Sequence, residues 1–223
     1  MDGTSYTNLA KAWEFVEDHA FAHQSVELNA IRTSAEEAGI HQGPAAQAEL
    51  LRMLVHMLNA SSVIVVGTGS VVETLQLING LENGGQLTAV DSSSHGIKLI
   101  RNLFNHISDD IQTTLRAVNT PVGVFLPRLN AKTYDLIVVA GDAENYAATF
   151  EQAPRLLRKR GAIVFTDMLA FDSAQSTGGV LNPANRNPKS LAMRALMETV
   201  ESDERFVTAL TPSGTGLLVA VKR

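Results

Sequence analysis

The sequence predicts an α/β fold built on a mostly parallel sheet, and two observations carry this prediction. The first is the apolar, β-branched run 63–66, which ends directly in the glycine-containing turn 67–70. The second is a regular alternation of strand-like and helix-like segments from there to about residue 167. Strands that alternate with helices pair in parallel through right-handed crossovers. A buried strand that leads into a glycine turn often begins a nucleotide-binding site.

A second predicted strand, 86–90, ends in the acidic residue Asp91. The glycines Gly67 and Gly69 allow a ligand to approach the main chain closely, and the acid can accept hydrogen bonds from ribose hydroxyls. The same arrangement serves both nicotinamide dinucleotides and S-adenosylmethionine. The pattern therefore predicts a nucleotide cofactor and leaves these two classes open.

The alternating segments follow in order along the chain. We predict strands at 62–66, 86–90, 112–118, 134–140 and 161–167, and helices near 71–81, 94–107, 121–129 and 145–158. A helix at 189–201 then precedes strands 205–211 and 216–222, which a tight turn joins and which are therefore antiparallel. A dinucleotide fold continues instead with parallel units. Five parallel strands closed by a C-terminal antiparallel hairpin match a class I methyltransferase-like Rossmann sheet.

A helical layer is predicted before the sheet. Residues 6–20 and 24–38 carry apolar positions three to four apart, and Gly43-Pro44 opens a third helix with a leucine-rich inner face. We predict a single domain, 1–223, with a helical N-terminal layer at 1–60 and a cofactor-binding α/β core at 61–223. The apolar side chains of this layer, such as Trp13 and Phe15, provide more apolar surface than is needed to cover one face of the sheet. This excess predicts a homodimer built partly from these helices.

The composition excludes several classes of function. The 223 residues carry a net charge of −5 and 45% hydrophobic residues, without a basic cluster suited to nucleic acid. The absence of cysteine excludes disulfides, thiolate catalysis and cysteine-ligated metals. No apolar run approaches the ~18 residues of a membrane span, and the first residues lack a secretory-signal pattern. We expect a cytoplasmic protein that acts on a small-molecule acceptor, with no nucleic-acid or membrane partner.

Several pieces, in order along the chain, carry a resemblance to a known family. They are Gly43-Pro44 with its leucine-rich helix, the turn Val65-Val66-Gly67-Thr68-Gly69-Ser70, Asp91, Leu126-Pro127-Arg128-Leu129, the strand 134–139, and Gly216-Leu217-Leu218. In these pieces the chain resembles the O-methyltransferases related to catechol and caffeoyl-coenzyme A O-methyltransferases, especially the small bacterial members. The resemblance covers nearly the whole chain. It implies a dimeric O-methyltransferase that depends on S-adenosylmethionine.

The glycine turn and the resemblance together predict a set of site residues. Those predicted to bind S-adenosylmethionine are Gln42, Gly67, Thr68, Gly69, Ser70, Asp91, Ser92, Thr120, Pro121, Val122, Ala140, Gly141 and Tyr146. The resemblance assigns Asp91 to the ribose and residues 120–122 to the adenine edge. Asp167 and Asp142 are the predicted catalytic residues. Asp167 ends a strand at the sheet edge where open α/β sheets place their chemistry, and Asp142 corresponds to an acid that the family retains.

The chain departs from the family at the glycine turn. The family's acid that holds the cofactor amino group corresponds to Val65, and the serine that donates to the cofactor carboxylate corresponds to Glu73. At ~4 Å, a glutamate beside that carboxylate would repel it by about 1 kcal/mol in water, or about 4 kcal/mol at an effective dielectric near 20. We therefore expect either that Glu73 points to solvent or that the amino-acid end of the cofactor is held differently.

The predicted active site departs further. The resemblance implies a divalent cation, but the family's metal-binding aspartate corresponds to Ala140, its metal-binding asparagine to Met168 and its basic lysine to Ala143. A hard cation such as Mg²⁺ needs several oxygen ligands, which Asp167 alone cannot supply. We predict no metal site, and methyl transfer to a small hydroxylated acceptor without the family's divalent metal.

Two alternative functions stay open at the level of sequence. The first is a catalytically impaired relative that binds S-adenosylmethionine and has a non-enzymatic role, which the alanines at 140 and 143 favour. The second is an NAD-dependent oxidoreductase, which the C-terminal hairpin and Val71 in place of a third glycine disfavour. Residues 172–188 form a long irregular stretch that we expect to cover the acceptor site.

Overall fold

The computed structural model describes residues 3–67, 69–82, 84–108, 111–171 and 178–223, and for residues 3–7 only the backbone. Within this part of the chain, seven strands form one sheet in the order β3-β2-β1-β4-β5-β7-β6. The strands are β1 (Ser62–Val66), β2 (Gly85–Asp91), β3 (Thr113–Asn119), β4 (Tyr134–Val139), β5 (Leu157–Phe165), β6 (Phe206–Thr211) and β7 (Leu217–Lys222).

Eight α-helices surround the sheet in the described ranges. They are α1 (Gly3–Ala22), α2 (Val26–Glu37), α3 (Ala45–Met57), α4 (Val71–Gly80), α5 (Ser94–Ile107), α6 (Val122–Phe125), α7 (Glu144–Leu156) and α8 (Pro188–Glu201). Short 3₁₀ turns follow α6 at Leu126–Arg128 and precede α8 at Gly179–Leu181. None of the described helices is long and apolar enough to cross a membrane.

The sheet has the predicted class I methyltransferase-like arrangement. β1 pairs in parallel with β2 and β4, β2 with β3, and β4 with β5. β7 is antiparallel to both β5 and β6, so the C-terminal hairpin is confirmed. The chain builds outward from β1 in one direction and then returns to add β4 on its other side. This reversal opens a crevice at the carboxyl ends of β1 and β4, where open α/β sheets bind ligands.

The core lies on both faces of the sheet, which explains why the parallel strands read as continuous apolar runs. Val63 and Val65 of β1 face a layer that α3, α4 and α5 cover. Ile64 and Val66 face the opposite layer, which α7 and α8 cover with residues such as Phe150 and Met193. All of β1 is buried, so a side chain that reaches the ligand crevice must come from the loops that follow the strands.

The first helix is anchored through one acid. The carboxylate of Glu17 accepts hydrogen bonds from the backbone N–H groups of Ala45 and Ala46, at 2.5 and 3.0 Å. These N–H groups have no partner within α3 because they lie in its first turn. Glu17 therefore caps α3 from another helix and ties α1 to the layer that carries the 40–47 segment.

The predicted boundaries fail most clearly around residue 157. Residues 157 and 158 were predicted to end a helix, but both belong to β5. Pro154, which lacks a backbone N–H, lies in the last turn of α7 and favours its end. Leu157 is fully buried and pairs with Tyr134, and Arg158 forms an ion pair with Asp135. The predicted helix 121–129 is instead the short α6 followed by a 3₁₀ turn that contains Pro127.

Candidate functional site

A cavity of about 390 Å³ opens at the carboxyl ends of β1, β2, β4 and β5. Its volume lies within the roughly 300–1,000 Å³ that is typical of small-molecule sites. The glycine turn, Asp91, residues 140–142 and residues 166–167 form one side, and residues 40–43 with Gln47 form the other. We call this space the central cavity.

Gly67 sets the geometry of the glycine turn. Its φ of +83° belongs to the left-handed region, and a Cβ added there would lie 2.0 Å from the carbonyl oxygen of Ala140. Gly141, with φ +79°, faces it from the end of β4, where an added Cβ would lie 3.3 Å from the Gly67 Cα. The ends of β1 and β4 therefore meet backbone against backbone, which only residues without a Cβ permit.

Gln42 holds the glycine turn from the opposite side of the cavity. Its Nε2 donates to the carbonyl oxygen of Gly69 at 2.7 Å, and its Oε1 accepts from the backbone N–H of Val72 at 3.1 Å. Val72 lies in the first turn of α4, where backbone N–H groups lack intrahelical partners. One side-chain amide thus joins the 40–43 segment to both the turn and the helix after it. Gln42 lines the cavity as predicted, but these hydrogen bonds show it as a clamp on the turn.

Asp91 ends β2 and faces the central cavity. Its Oδ1 accepts from the backbone N–H of Ser93 at 2.9 Å, which orients the carboxylate. The side-chain amide of Asn119, at the end of the neighbouring β3, donates to the carbonyl oxygens of Asp91 and Ser92. The acid is buried, so its carboxylate is held in a restricted position at the sheet edge.

Glu73 corrects the expectation that this side chain points to solvent. The Glu73 side chain is only 2% exposed and lines the central cavity. It packs so closely against Gly43 that a Cβ added to Gly43 would lie 1.8 Å from the Oε1 of Glu73. Gln47 Nε2 donates to Oε1 at 3.3 Å. Burial raises the pKa of the Glu73 carboxyl, and hydrogen bonds and the charge of Arg32 oppose this only in part. The sequence does not reveal this placement, because it depends on the 40–47 segment folding over α4.

Three carboxylates converge around Tyr146. Its hydroxyl donates to the carbonyl oxygen of Thr166 at 2.9 Å. The pKa of Tyr146 is raised, first by burial and then by the negative charges of Asp167, Glu73 and Asp142. All three acids line the central cavity, so their negative charges are concentrated in one region of the molecule. Asp142 and Asp167 both line the central cavity, as predicted, whereas Tyr146 is buried behind it.

Asp167 forms an ion pair that the sequence did not predict. Its Oδ2 lies 2.5 Å from the Nζ of Lys189, in the first turn of α8. Asp167 also has a left-handed φ of +58°, which turns the chain away from the end of β5. Such backbone conformations are uncommon for residues with a Cβ and occur disproportionately at functional sites.

Arg194 organises the segment that leads to Lys189. Its guanidinium donates to the carbonyl oxygens of Gly179, Val180, Asn182 and Asn185, at distances from 2.5 to 3.3 Å. Sequence reasoning missed both Lys189 and Arg194, because each acts on groups that only the tertiary fold brings near. Of the predicted cover 172–188, residues 172–177 lie outside the described residues.

The charges of the central cavity favour a cationic ligand. The described residues that line it include the carboxylates of Glu73, Asp91, Asp142 and Asp167, and none of them is a lysine or an arginine. A ligand whose linking group is a pyrophosphate would meet like charge here, with no lysine or arginine in the described lining to offset it. A ligand with a sulfonium and an ammonium group would meet opposite charge.

The predicted cofactor residues divide into three groups by position. Those that line the central cavity are Gln42, Gly67, Gly69, Ser70, Asp91, Ala140 and Gly141. Those outside its described lining are Ser92, Thr120, Pro121, Val122 and Tyr146. Thr68 lies outside the described residues. Thr120 remains beside the site, because its backbone N–H donates to the carbonyl oxygen of Asp91 at 2.9 Å. That residues 120–122 contact an adenine stays a prediction.

The residues that the resemblance aligns with the family's metal ligands do not fit a divalent cation. Ala140 offers no side-chain oxygen, and the Met168 side chain is fully buried in the core. Among the described residues, no group of three or more His, Cys, Asp or Glu side chains could hold a metal. A cation bound at Asp167 would also lie beside the ammonium of Lys189, which would repel it.

Comparison with known proteins assigns the chain to a family. The family model described as O-methyltransferase matches residues 16–223. The chain belongs to the O-methyltransferase family. It is 31% identical over 209 residues to a Mycobacterium sp. (strain JLS) protein named as an O-methyltransferase, with 91% of each chain covered. It is also 31% identical over 211 residues to one from Mycobacterium leprae (strain TN), covering 92% of this chain and 91% of that protein.

Solved structures share the family fold. A protein from Corynebacterium glutamicum has a TM-score of 0.80 at 22% identity, covering 95% of this chain and 97% of that one. An O-methyltransferase from Bacillus cereus, solved in complex with SAH, has a TM-score of 0.78 at 19% identity, covering 96% and 99%. These identities are low, so the likeness supports the class I methyltransferase fold of this family member.

We predict that Gly67→Ala disrupts the site, because its Cβ would meet the carbonyl oxygen of Ala140 and its φ is left-handed. The matched control is Gly123→Ala in α6, where an added Cβ meets nothing within 4 Å. Alanine in a helix is favoured over glycine by roughly 0.5–1 kcal/mol. In thermal unfolding, Gly67→Ala should lower the melting temperature, and Gly123→Ala should leave it unchanged or raise it. Equal melting temperatures for both variants would contradict the close approach of β1 and β4.

Proposed function

We propose that this protein is an S-adenosylmethionine-dependent O-methyltransferase that acts on a small hydroxylated acceptor without a divalent metal. The observation that carries the proposal is the central cavity, where the strand order of the sheet reverses: its described lining includes four carboxylates and no lysine or arginine. The family membership of the chain supports the reaction type. The SAH bound to the similar protein from Bacillus cereus supports the cofactor class.

The residues of the central cavity fit this cofactor. S-adenosylmethionine supplies an electrophilic methyl group on a positively charged sulfur. Asp91 is placed to accept hydrogen bonds from the ribose hydroxyls, and Gly67 and Gly69 leave the backbone open to close approach. Gln42 keeps the glycine turn in position. In-line transfer depends mostly on alignment, so a rigid turn contributes directly to the rate.

Asp167 and Lys189 are the residues proposed to handle the acceptor hydroxyl. Asp167 lines the cavity at the end of β5, with Lys189 Nζ 2.5 Å from its carboxylate. A carboxylate at hydrogen-bond reach can take the hydroxyl proton as a general base. The lysine ammonium supplies positive charge near the developing alkoxide, where the family places a metal. Asp142, also at the cavity wall, is the second acid on the acceptor side.

The first test of this function is cofactor binding at Asp91. Asp91→Ala removes the hydrogen bonds that the ribose hydroxyls would donate to the Asp91 carboxylate, and a hydrogen bond to a charged acceptor contributes about 1.5–3 kcal/mol. We predict that the affinity for SAH falls roughly 10- to 150-fold by titration calorimetry. Asp203→Ala, which removes an acid paired with Arg205 at the β6 end of the molecule, should leave the affinity unchanged.

The same calorimetry distinguishes the alternative functions. Tight NAD binding with no response to S-adenosylmethionine or SAH would refute the proposal in favour of an oxidoreductase. Binding of both methionine derivatives, without transfer of a labelled methyl group to any catechol-like or other hydroxylated acceptor, would favour the non-catalytic relative.

The second test concerns the metal. Because Ala140 and Met168 supply no oxygen ligand and Lys189 neighbours Asp167, SAH affinity should be unchanged by EDTA, and methyl transfer should not need added Mg²⁺ or Mn²⁺. The double variant Ala140→Asp and Met168→Asn restores oxygen ligands beside Asp167. It should bind Mn²⁺ more tightly than the wild type in a metal titration.

An outcome against this prediction is easy to recognise. Chelator-sensitive activity, or a divalent ion bound at Asp167 in crystals soaked with millimolar Mg²⁺, would show that the site uses a metal despite these substitutions.

The exposed face of α1 supports a homodimer. Trp13, Phe15 and Val16 are 50%, 70% and 51% exposed, and Leu9 and Phe21 are also exposed on this helix. A helix that buries so little of its apolar surface gains little stability from its own chain. A second copy presents the same apolar surface, so a two-fold contact between α1 helices covers both.

We predict a mass near twice the 23.9 kDa of the chain by light scattering at micromolar concentration. Phe15→Glu should shift the mass toward the monomer, because it buries a charge in the proposed interface. Val124→Glu, a matched change on exposed α6, should not shift it. A monomeric mass for the wild-type chain would refute the dimer.

A further inference from the structure

Glu73 has a carboxylate that the protein leaves incompletely paired. The side chain is 2% exposed, and Oε1 receives a hydrogen bond from Gln47 at 3.3 Å. Oε2 is buried and has no hydrogen-bond partner. A buried carboxylate without a partner is strongly unfavourable, and native structures rarely retain one without a reason. A buried carboxylate oxygen without a partner at a cavity wall therefore points to a hydrogen-bond donor on a ligand, and a cationic donor fits it best.

The nearby basic residue does not account for this acid. Arg32, on α2, uses its Nη1 to donate to the carbonyl oxygen of Gly43 at 2.8 Å, and its buried Nε and Nη2 have no hydrogen-bond partner, so they do not donate to Glu73. Its charge lowers the pKa of Glu73 only partly, and Glu73 is in none of the ion pairs found among the described residues. Burial is the largest influence on the Glu73 pKa and raises it. The protein thus leaves room for a further positive group.

The position of Glu73 matches one end of the proposed cofactor. The sheet order β2-β1-β4-β5 places Asp91 at one side of the central cavity and Asp167 at the other, with the glycine turn between them. A ligand with its ribose at Asp91 therefore extends its remaining chain across the glycine turn toward Glu73. Glu73 lies in the first helical turn of α4, directly after the glycine turn, and its carboxylate packs against Gly43 at the cavity wall.

We propose that Glu73 binds the amino group of the methionine end of the cofactor. This inference rests on the proposed function, because it takes S-adenosylmethionine as the ligand. The ammonium group donates to Oε2, the oxygen that has no hydrogen-bond partner in the protein. Val65, on β1, is fully buried in the apolar core and cannot take this role. The amino-acid end is therefore held through its positive group on the Glu73 side of the cavity.

The test compares SAH with 5′-methylthioadenosine, which keeps the adenosine and sulfur but lacks the amino-acid end. Glu73→Gln keeps the shape of the side chain and removes its charge. We expect this variant to lower the affinity for SAH roughly 10- to 150-fold, measured by calorimetry. Its affinity for 5′-methylthioadenosine should stay within about threefold of the wild-type value. Glu82→Gln, the same change at an exposed residue in the turn after α4, should affect neither ligand.

Analogues of SAH that lack either charged group identify the one that Glu73 contacts. The decarboxylated analogue, which keeps the amino group, should lose as much affinity as SAH in Glu73→Gln. The deaminated analogue, which keeps the carboxylate, should bind the wild type weakly and lose nothing more in the variant. A loss confined to the deaminated analogue and SAH would overturn the proposal, because it would place the carboxylate on Glu73. Equal losses for all ligands, 5′-methylthioadenosine included, would show a structural role instead.

The wild-type protein provides an independent reading if Glu73→Gln does not fold. It should bind SAH and the decarboxylated analogue more tightly than the deaminated one, and the reverse order would overturn the proposal. Failure of the proposed function has a different signature, since the wild type would then bind neither SAH nor 5′-methylthioadenosine.

Discussion

The close approach of two strand ends is the constraint on which the rest of this site depends. Gly67 and Gly141 let the carboxyl ends of β1 and β4 meet backbone against backbone, where a Cβ at Gly67 would lie 2.0 Å from a carbonyl oxygen. This contact fixes the floor of the crevice at the reversal of the strand order. The glycine turn, the start of α4 and the Ala140–Asp142 segment all take their positions from it. Gln42 then holds the turn from above.

The electrostatics of the cavity follow from which residues that scaffold places at its wall. Acids come from four different segments, the start of α4 and the ends of β2, β4 and β5, and none of the described lining residues is a lysine or an arginine. In a cavity partly shielded from water, such charges act more strongly than on an open surface. The site therefore selects ligands by sign as well as by shape. A glycine turn of the kind that dinucleotide-binding proteins also use thus lies here in an acidic cavity, which favours a cationic ligand.

At the end of β5, the residues that depart from the family pattern go together with an ion pair inside the protein. With Ala140 and Met168 at the positions that the resemblance aligns with metal ligands, Asp167 is the acid that remains at the end of β5. Lys189 neutralises that acid from α8, and Arg194 holds the segment before Lys189 by its carbonyl oxygens. A protein cation thus lies where a bound ion would otherwise compensate the carboxylate. Any loss of one partner would leave the other charge partly buried and uncompensated.

The sequence by itself determined the class of fold, the C-terminal hairpin, the family and the cavity residues of the glycine turn. These depend on local information: β-branched runs, glycines and an acid at a strand end. The tertiary structure alone decided the environment of Glu73, whose burial depends on residues 43 and 47 folding over α4. It also decided the pairing of Asp167 with Lys189, which belong to different elements. Burial and charge pairing arise between segments distant in the chain, so no local pattern of residues records them.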